Sequence, residues 1–245
     1  MEVSGCRDRA FGIMGELRGD FEGYEAIGAA ALLEDRSQHP ERVDRVVDGG
    51  DAALRIVDFA DQHDVDLIMM PTHGLGLFRA LLVGSTASKV LHDAKCPVWT
   101  APHAETQTAT EVPRMVLCAV DGTPASLPLV LWAAEFSAMV GARLEVLHVV
   151  EPITDWPSLE REQRRQDQVR EEARHNMSLI LKSGGIDAPL RVAVGEIVRT
   201  TTEEARQGEA DLVIIGRGTV SEPFGRLRTH AFGIIQSSPC PVLSA

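Results

Sequence analysis

Apolar residues in this chain come in short unbroken runs, separated by stretches in which they recur every three or four positions. Met115–Val120 and Leu212–Ile215 are wholly apolar, as a strand buried on both faces requires. Residues 144–150, 190–194 and 242–243 read as further strands. Helices are predicted between them. Residues 126–140 form one that stops at Gly141, a residue suited to the left-handed turn that ends helices. Residues 158–183 form a long polar helix with Val169, Ala173, Met177, Ile180 and Leu181 on one face, ended by Gly184-Gly185. Shorter helices are expected over 197–207 and 229–237. Strands that alternate with helices predict an α/β fold with a parallel, doubly wound sheet.

The pattern occurs twice. Gly50-Asp51-Ala52-Ala53-Leu54-Arg55-Ile56-Val57 falls on Gly195-Glu196-Ile197-Val198-Arg199-Thr200-Thr201-Thr202 at an offset of 145. The same offset carries Asp66-Leu67-Ile68-Met69-Met70 onto Asp211-Leu212-Val213-Ile214-Ile215. Farther on the offset is 144, and Lys95-Cys96-Pro97-Val98 falls on Pro239-Cys240-Pro241-Val242. Two copies of one unit explain this economically, with one residue gained or lost in the loop after the Leu-Ile-Met-Met strand. Residues 105–113 are polar, Thr-rich and end in proline, so they read as a linker. The expected domains are therefore 1–104 and 114–245.

The second unit reads as complete and the first does not. Subtracting 145 from the start of the second unit's first strand leads about thirty residues upstream of Met1. The first unit is thus expected to lack its first strand and helix, and residues 7–33 read as loop and helix. An upstream start and a genuine half-unit both stay open. A truncated sheet exposes strand edges and apolar faces.

Composition acts mainly by exclusion. The 245 residues are 44% hydrophobic and 24% charged, as in an ordinary globular chain. A net charge of −12 argues against a nucleic-acid partner, which needs clustered Lys and Arg. No apolar run approaches the roughly 18 residues of a membrane-spanning helix, so no membrane partner is expected. The polar start of the chain is no signal peptide. Cys6, Cys96, Cys118 and Cys240 have no C-x-x-C spacing and read as reduced thiols of a cytoplasmic protein, with no metal site.

Ligands of open parallel sheets bind beyond the C-terminal strand ends, and two sets of residues fall there. The first is Pro71-Thr72-His73-Gly74, then nine residues, then Gly84-Ser85-Thr86 before a helix. Glycine lets backbone approach a phosphate, and a helix start offers free N–H groups. A turn glycine with a capping serine explains the same spacing. The second set is Asp121-Gly122-Thr123, where Asp121 either accepts a hydrogen bond from a ligand or closes a strand-end turn. His73 and His148 are better explained as a solvent-facing and a packed histidine than as catalytic groups. No Ser/His/Asp set is legible. The charged run 160–167 reads as a solvated helix face.

Taken together, several of these segments resemble the universal stress protein family. They are Val120-Asp121-Gly122-Thr123, Trp132-Ala133-Ala134-Glu135 and residues 141–152 in the second unit. In the first unit they are residues 66–74 and Gly84-Ser85-Thr86-Ala87-Ser88-Lys89-Val90-Leu91. The endings Cys96-Pro97-Val98 and Cys240-Pro241-Val242 fit too. The resemblance implies two units of the HUP, or adenine-nucleotide α-hydrolase-like, class with strand order 3-2-1-4-5. It implies that some relatives bind ATP or AMP with Mg2+ through Gly-x-x-Gly, nine residues, Gly-Ser/Thr. An Asp after the first strand and a Val after the second would hold the adenine.

Carried over residue by residue, the motif is split. The first unit offers Met70, Gly74, Gly84, Ser85 and Thr86, with Pro71 in place of the first glycine and no N–H there to donate. The second offers Asp121, Val149, Gly216, Gly218, Arg228 and Thr229. Its loop is one residue short, and Arg228 stands where glycine is expected. Arg228 either binds phosphate bidentately or fills the nucleotide's place. The resemblance further implies that last-strand edges pair units within the chain or in a homodimer, with Trp99 packing between the copies. Three functions follow: a cytoplasmic stress-response protein sensing an adenine nucleotide, a nucleotide-independent interaction or dimerisation module, and a slow ATP hydrolase. Efficient catalysis is not expected, and no catalytic residue is assigned.

Overall fold

In the computed structural model, residues 10–12, 46–72, 83–101, 112–152, 159–217 and 229–245 are described. They contain eight strands: β1 (Ala10–Gly12), β2 (Leu67–Pro71), β3 (Val98–Ala101), β4 (Met115–Val120), β5 (Arg143–Val150), β6 (Leu190–Val194), β7 (Leu212–Ile215) and β8 (Val242–Ser244). Six α-helices accompany them: α1 (Ala52–Gln62), α2 (Ser85–Asp93), α3 (Leu127–Val140), α4 (Leu159–Ser183), α5 (Ile197–Gln207) and α6 (Thr229–Ser237). None of them is long and apolar enough to cross a membrane.

The strands form a single sheet in the order β1-β2-β3-β8-β7-β4-β5-β6. In the second unit this reads β6-β5-β4-β7-β8, all parallel, which is the expected order 3-2-1-4-5. The continuous apolar runs are explained by cover on both faces. Leu117, Leu147, Val213 and Ile215 point into a cluster that includes the α5 and α6 side, and Val116, Cys118, Val146 and Ile214 into one that includes the α3 and α4 side. Gly141 ends α3 at φ 73°, as its position in the sequence predicts.

The first unit shows β2 and β3 parallel, with β1 parallel to β2 at the other side. This differs from the loop and helix expected over residues 7–33. Ala10 pairs with Leu67, as Val116 pairs with Leu212 in the second unit, so β1 takes the place that β4 takes beside β7. A strand of three residues with one large apolar side chain leaves no legible run in the sequence. One face of β2 is thinly covered: Met69 is 36% exposed, whereas its counterpart Ile214 is 0% exposed.

The two units meet through their last strands. β3 and β8 pair antiparallel, with Val98 opposite Ser244, Trp99 opposite Leu243 and Thr100 opposite Val242. The 144-residue offset maps Val98 onto Val242, Trp99 onto Leu243 and Thr100 onto Ser244. The pairing is therefore a local two-fold centred on Trp99 and Leu243. The side chains obey it: the Thr100 hydroxyl donates to the Val242 carbonyl at 3.1 Å and the Ser244 hydroxyl to the Val98 carbonyl at 3.3 Å. The Trp99 ring lies 6.4 Å from Phe136 of α3, which stacks on Trp132 at 5.5 Å. Trp99 thus packs between the copies. Trp99→Ala should cost about 3 kcal/mol, read as a lower urea midpoint at unchanged slope. An unchanged midpoint would show that the seam does not depend on this ring.

Candidate functional site

Antiparallel pairing at the seam turns the two units end for end. The C-terminal ends of β1, β2 and β3 point one way, and those of β4 to β8 point the other. The two sets of candidate residues therefore sit at opposite edges of one sheet, and no composite site joins them.

At the first edge, Met70 is buried in β2, 8% exposed, and its side chain belongs to the core. The strand end is tied to the next helix by the Gly84 N–H, which donates to the Thr72 carbonyl at 2.8 Å. Gly84 is the N-cap of α2, extended at φ −61° and ψ 153°, and with no side chain it leaves that end uncapped. Ser85 is exposed and Thr86 half-buried at the first two helical positions. Gly74 and His73 lie outside the described residues.

Two other helix starts are closed by their own carboxylates. Asp51 accepts from the Ala53 and Leu54 N–H groups at the start of α1, at 3.1 and 3.2 Å. Glu196 accepts from the Val198 and Arg199 N–H groups at the start of α5, at 3.0 and 2.8 Å. Each carboxylate occupies the positive end of its helix, where an anion would otherwise bind. Lys89 beside Asp51, together with the Leu54 N–H, holds that carboxyl below its ordinary value. The N–H groups of Arg199 and Val198 do the same for Glu196.

At the second edge Asp121 is bonded within its own turn. One Asp121 carboxylate oxygen accepts from the Thr123 N–H at 3.1 Å, the Thr123 hydroxyl at 2.9 Å and the Ser126 hydroxyl at 2.5 Å. This is the strand-end turn that competed with the ligand role in the sequence. The His148 ring bonds through Nδ1 to the Val120 carbonyl at 3.0 Å and lies against Gly122. A Cβ on Gly122 would approach that ring to 2.6 Å, and φ there is 76°, so only glycine fits. Val149 is 9% exposed, with its side chain in the core. Gly216 follows β7, and a Cβ on it would meet Leu129 at 3.3 Å. Thr229 opens α6, and Gly218 and Arg228 lie outside the described residues.

One residue at this edge was missed by sequence reasoning. Arg217, between Gly216 and Gly218, is 8% exposed. Its Nη1 donates to the Ala94 carbonyl at 2.5 Å and its Nη2 to the Lys95 carbonyl at 3.3 Å, both in the other unit. No local pattern predicts a bond across more than 120 positions. The only available signal was that Arg217 falls on Thr72 under the repeat.

Among the described residues, two of the thiols are deep in the core. Burial pushes Cys118 up to about 12 and Cys240 up to about 11. Among the described residues no cluster of His, Cys, Asp and Glu could hold a metal ion.

A profile of the universal stress protein family matches residues 7–102 and 114–244. A curated universal stress protein from Mycolicibacterium smegmatis is 31% identical over 93 residues, a segment that spans 38% of this chain and 31% of that relative. Among solved structures, a universal stress protein from Archaeoglobus fulgidus superposes with a TM-score of 0.63 at 21% identity, covering 97% of this chain and 85% of the other. A putative universal stress protein from Pseudomonas aeruginosa superposes at 0.62 with 15% identity, covering 92% and 79%. These two structures share the fold.

The self-capped helices have a pH consequence. Asp51 is depressed in the folded chain, so its contribution is present above the unfolded carboxyl value of 3.8 and is lost as pH falls through the folded value. Melting of the parent and of Asp51→Ala should differ most near neutral pH and converge in acid. A gap that persists at the acid end would mean that the charge of Asp51 is not what stabilises α1.

Proposed function

We propose that this chain, which belongs to the universal stress protein family, is a two-unit regulatory module of the cytoplasm that senses an adenine nucleotide at its first unit. The carrying observation is the uncapped start of α2. Gly84 places no side chain over the first turn of α2, and the Ser85 and Thr86 hydroxyls stand there, whereas α1 and α5 begin under their own carboxylates. An ATP or AMP phosphate, with or without Mg2+, is the anion that the glycine spacing suits. The second unit supports this site and pairs with it through β3 and β8, residues 1–104 and 114–245 forming the two halves.

A second reading is favoured by the other edge. Asp121 is engaged by Thr123 and Ser126, and His148 lies against Gly122, so that edge suits a nucleotide-independent interaction or dimerisation module. One substitution separates the readings. Gly84→Asp gives α2 the carboxylate cap that α1 and α5 carry. It should raise stability by up to about 1 kcal/mol, because an acidic cap offsets the helix dipole. It should also abolish binding, since the new carboxylate occupies the phosphate's place. The parent should melt several degrees higher with saturating Mg-ATP or AMP, and the variant should not respond. No shift in the parent favours the interaction module, and turnover beyond one equivalent would add the slow hydrolase.

A further inference from the structure

α2 spans the sheet from one ligand edge to the other. Its first residues, Ser85 and Thr86, follow the C-terminal end of β2. Its last turn leads to Ala94 and Lys95, just before the N-terminal end of β3. Because β3 and β8 are antiparallel, that end lies beside the C-terminal edge of the second unit. Nine residues at 1.5 Å each make a rod of about 14 Å between the two edges.

Arg217 holds the far end of this rod. It follows Gly216 at the second edge, and its backbone N–H donates to the Ala245 carbonyl at 3.1 Å, which fixes it to the end of β8. Its guanidinium donates to the carbonyls of Ala94, the C-cap of α2, and of Lys95. A buried cation at the negative end of a helix is favoured, and its charge strengthens both bonds to the carbonyls. The equivalent residue of the first unit is Thr72. It repeats the backbone bond, with its N–H donating to the Ala101 carbonyl at 3.0 Å, and its hydroxyl lies 3.5 Å from that same carbonyl. The two symmetric positions thus differ in reach, a long arginine at one and a short threonine at the other.

We propose that Arg217 is a positioning residue that couples the second unit's strand-end loop to the anion-binding start of α2. A change at Gly216 and Arg217 alters the hold on the C-terminus of α2 and thereby the affinity at Gly84, Ser85 and Thr86. The coupling itself rests on geometry alone, and only the identity of the ligand rests on the proposed function.

The test is amide hydrogen exchange on the full chain, with and without Mg-ATP. Arg217→Ala should speed exchange of Val90 and Leu91 about tenfold while β4, β5 and β6 stay protected. Arg217→Lys, which keeps the charge and can reach one carbonyl, should restore part of the protection. If Arg217→Ala does not fold, Arg217→Lys against the parent decides the matter. Trp99→Ala serves as the comparison that weakens the seam without touching the clasp. Unchanged exchange in α2, or loosening spread over every element as Trp99→Ala would give, overturns the proposal. In the nucleotide arm, Arg217→Ala should weaken Mg-ATP binding about tenfold, within the range of ordinary site coupling. A parent that shows no response to Mg-ATP refutes the ligand, and the ligand-free exchange of α2 still decides the coupling.

Discussion

The antiparallel meeting of β3 and β8 is the constraint from which the rest follows. Three residue pairs and two reciprocal hydroxyl bonds close an edge that each unit would otherwise leave open. The pairing makes one sheet of eight strands and one apolar cluster on the α1, α2, α5 and α6 side, reaching from Ala53 to Val242. It also turns the units end for end, so each carries its ligand edge on the side where the other carries its strand starts. A helix of one unit then ends where the loop of the other begins, which is how Arg217 can meet α2.

Helix ends decide what each edge can bind. A helix start exposes N–H groups that need an acceptor, supplied by a side chain, by water or by a ligand. Asp51 and Glu196 supply it internally and bring a full charge with it. Gly84 supplies nothing, and it is the one of these three positions that the resemblance assigns to phosphate. At the second edge one Asp121 carboxylate oxygen accepts from Thr123 and Ser126, which orders the turn before α3. The same residue type therefore does opposite work in the two readings of the sequence, and only the positions of the nearby hydroxyls separate them.

Much of the fold was legible because it is local and repeated. Met115–Val120 and Leu212–Ile215 announced doubly covered strands, Gly141 announced the end of α3, and the 145-residue offset announced two units. β1 was not legible, because three residues carry no periodicity and the strand exists only by pairing with β2. Gly84, Ser85 and Thr86 stood out in the sequence by their spacing, and they lie at the start of α2. Arg217 was not, since its partners are more than 120 positions away, and neither was the filling of the Gly122 corner by His148. Long-range contacts of single side chains leave no pattern, whereas strands and helices repeat theirs several times over.

The departures from symmetry carry the functional argument. Two identical chains meeting through their last strands would place the same residue at both clasps. In a fused pair, position 217 can be arginine while its counterpart, position 72, is threonine. The long arm is then the second unit's, reaching from the residue after Gly216 to the end of the first unit's helix. The caps of α1 and α5, by contrast, keep the symmetry, with a carboxylate at Asp51 and at its counterpart Glu196. The Arg217 contacts tie the second unit's strand end to the helix of its neighbour. The free energy of such coupling is set by the difference in the Arg217 contacts between two arrangements, so it belongs to the seam as much as to either edge.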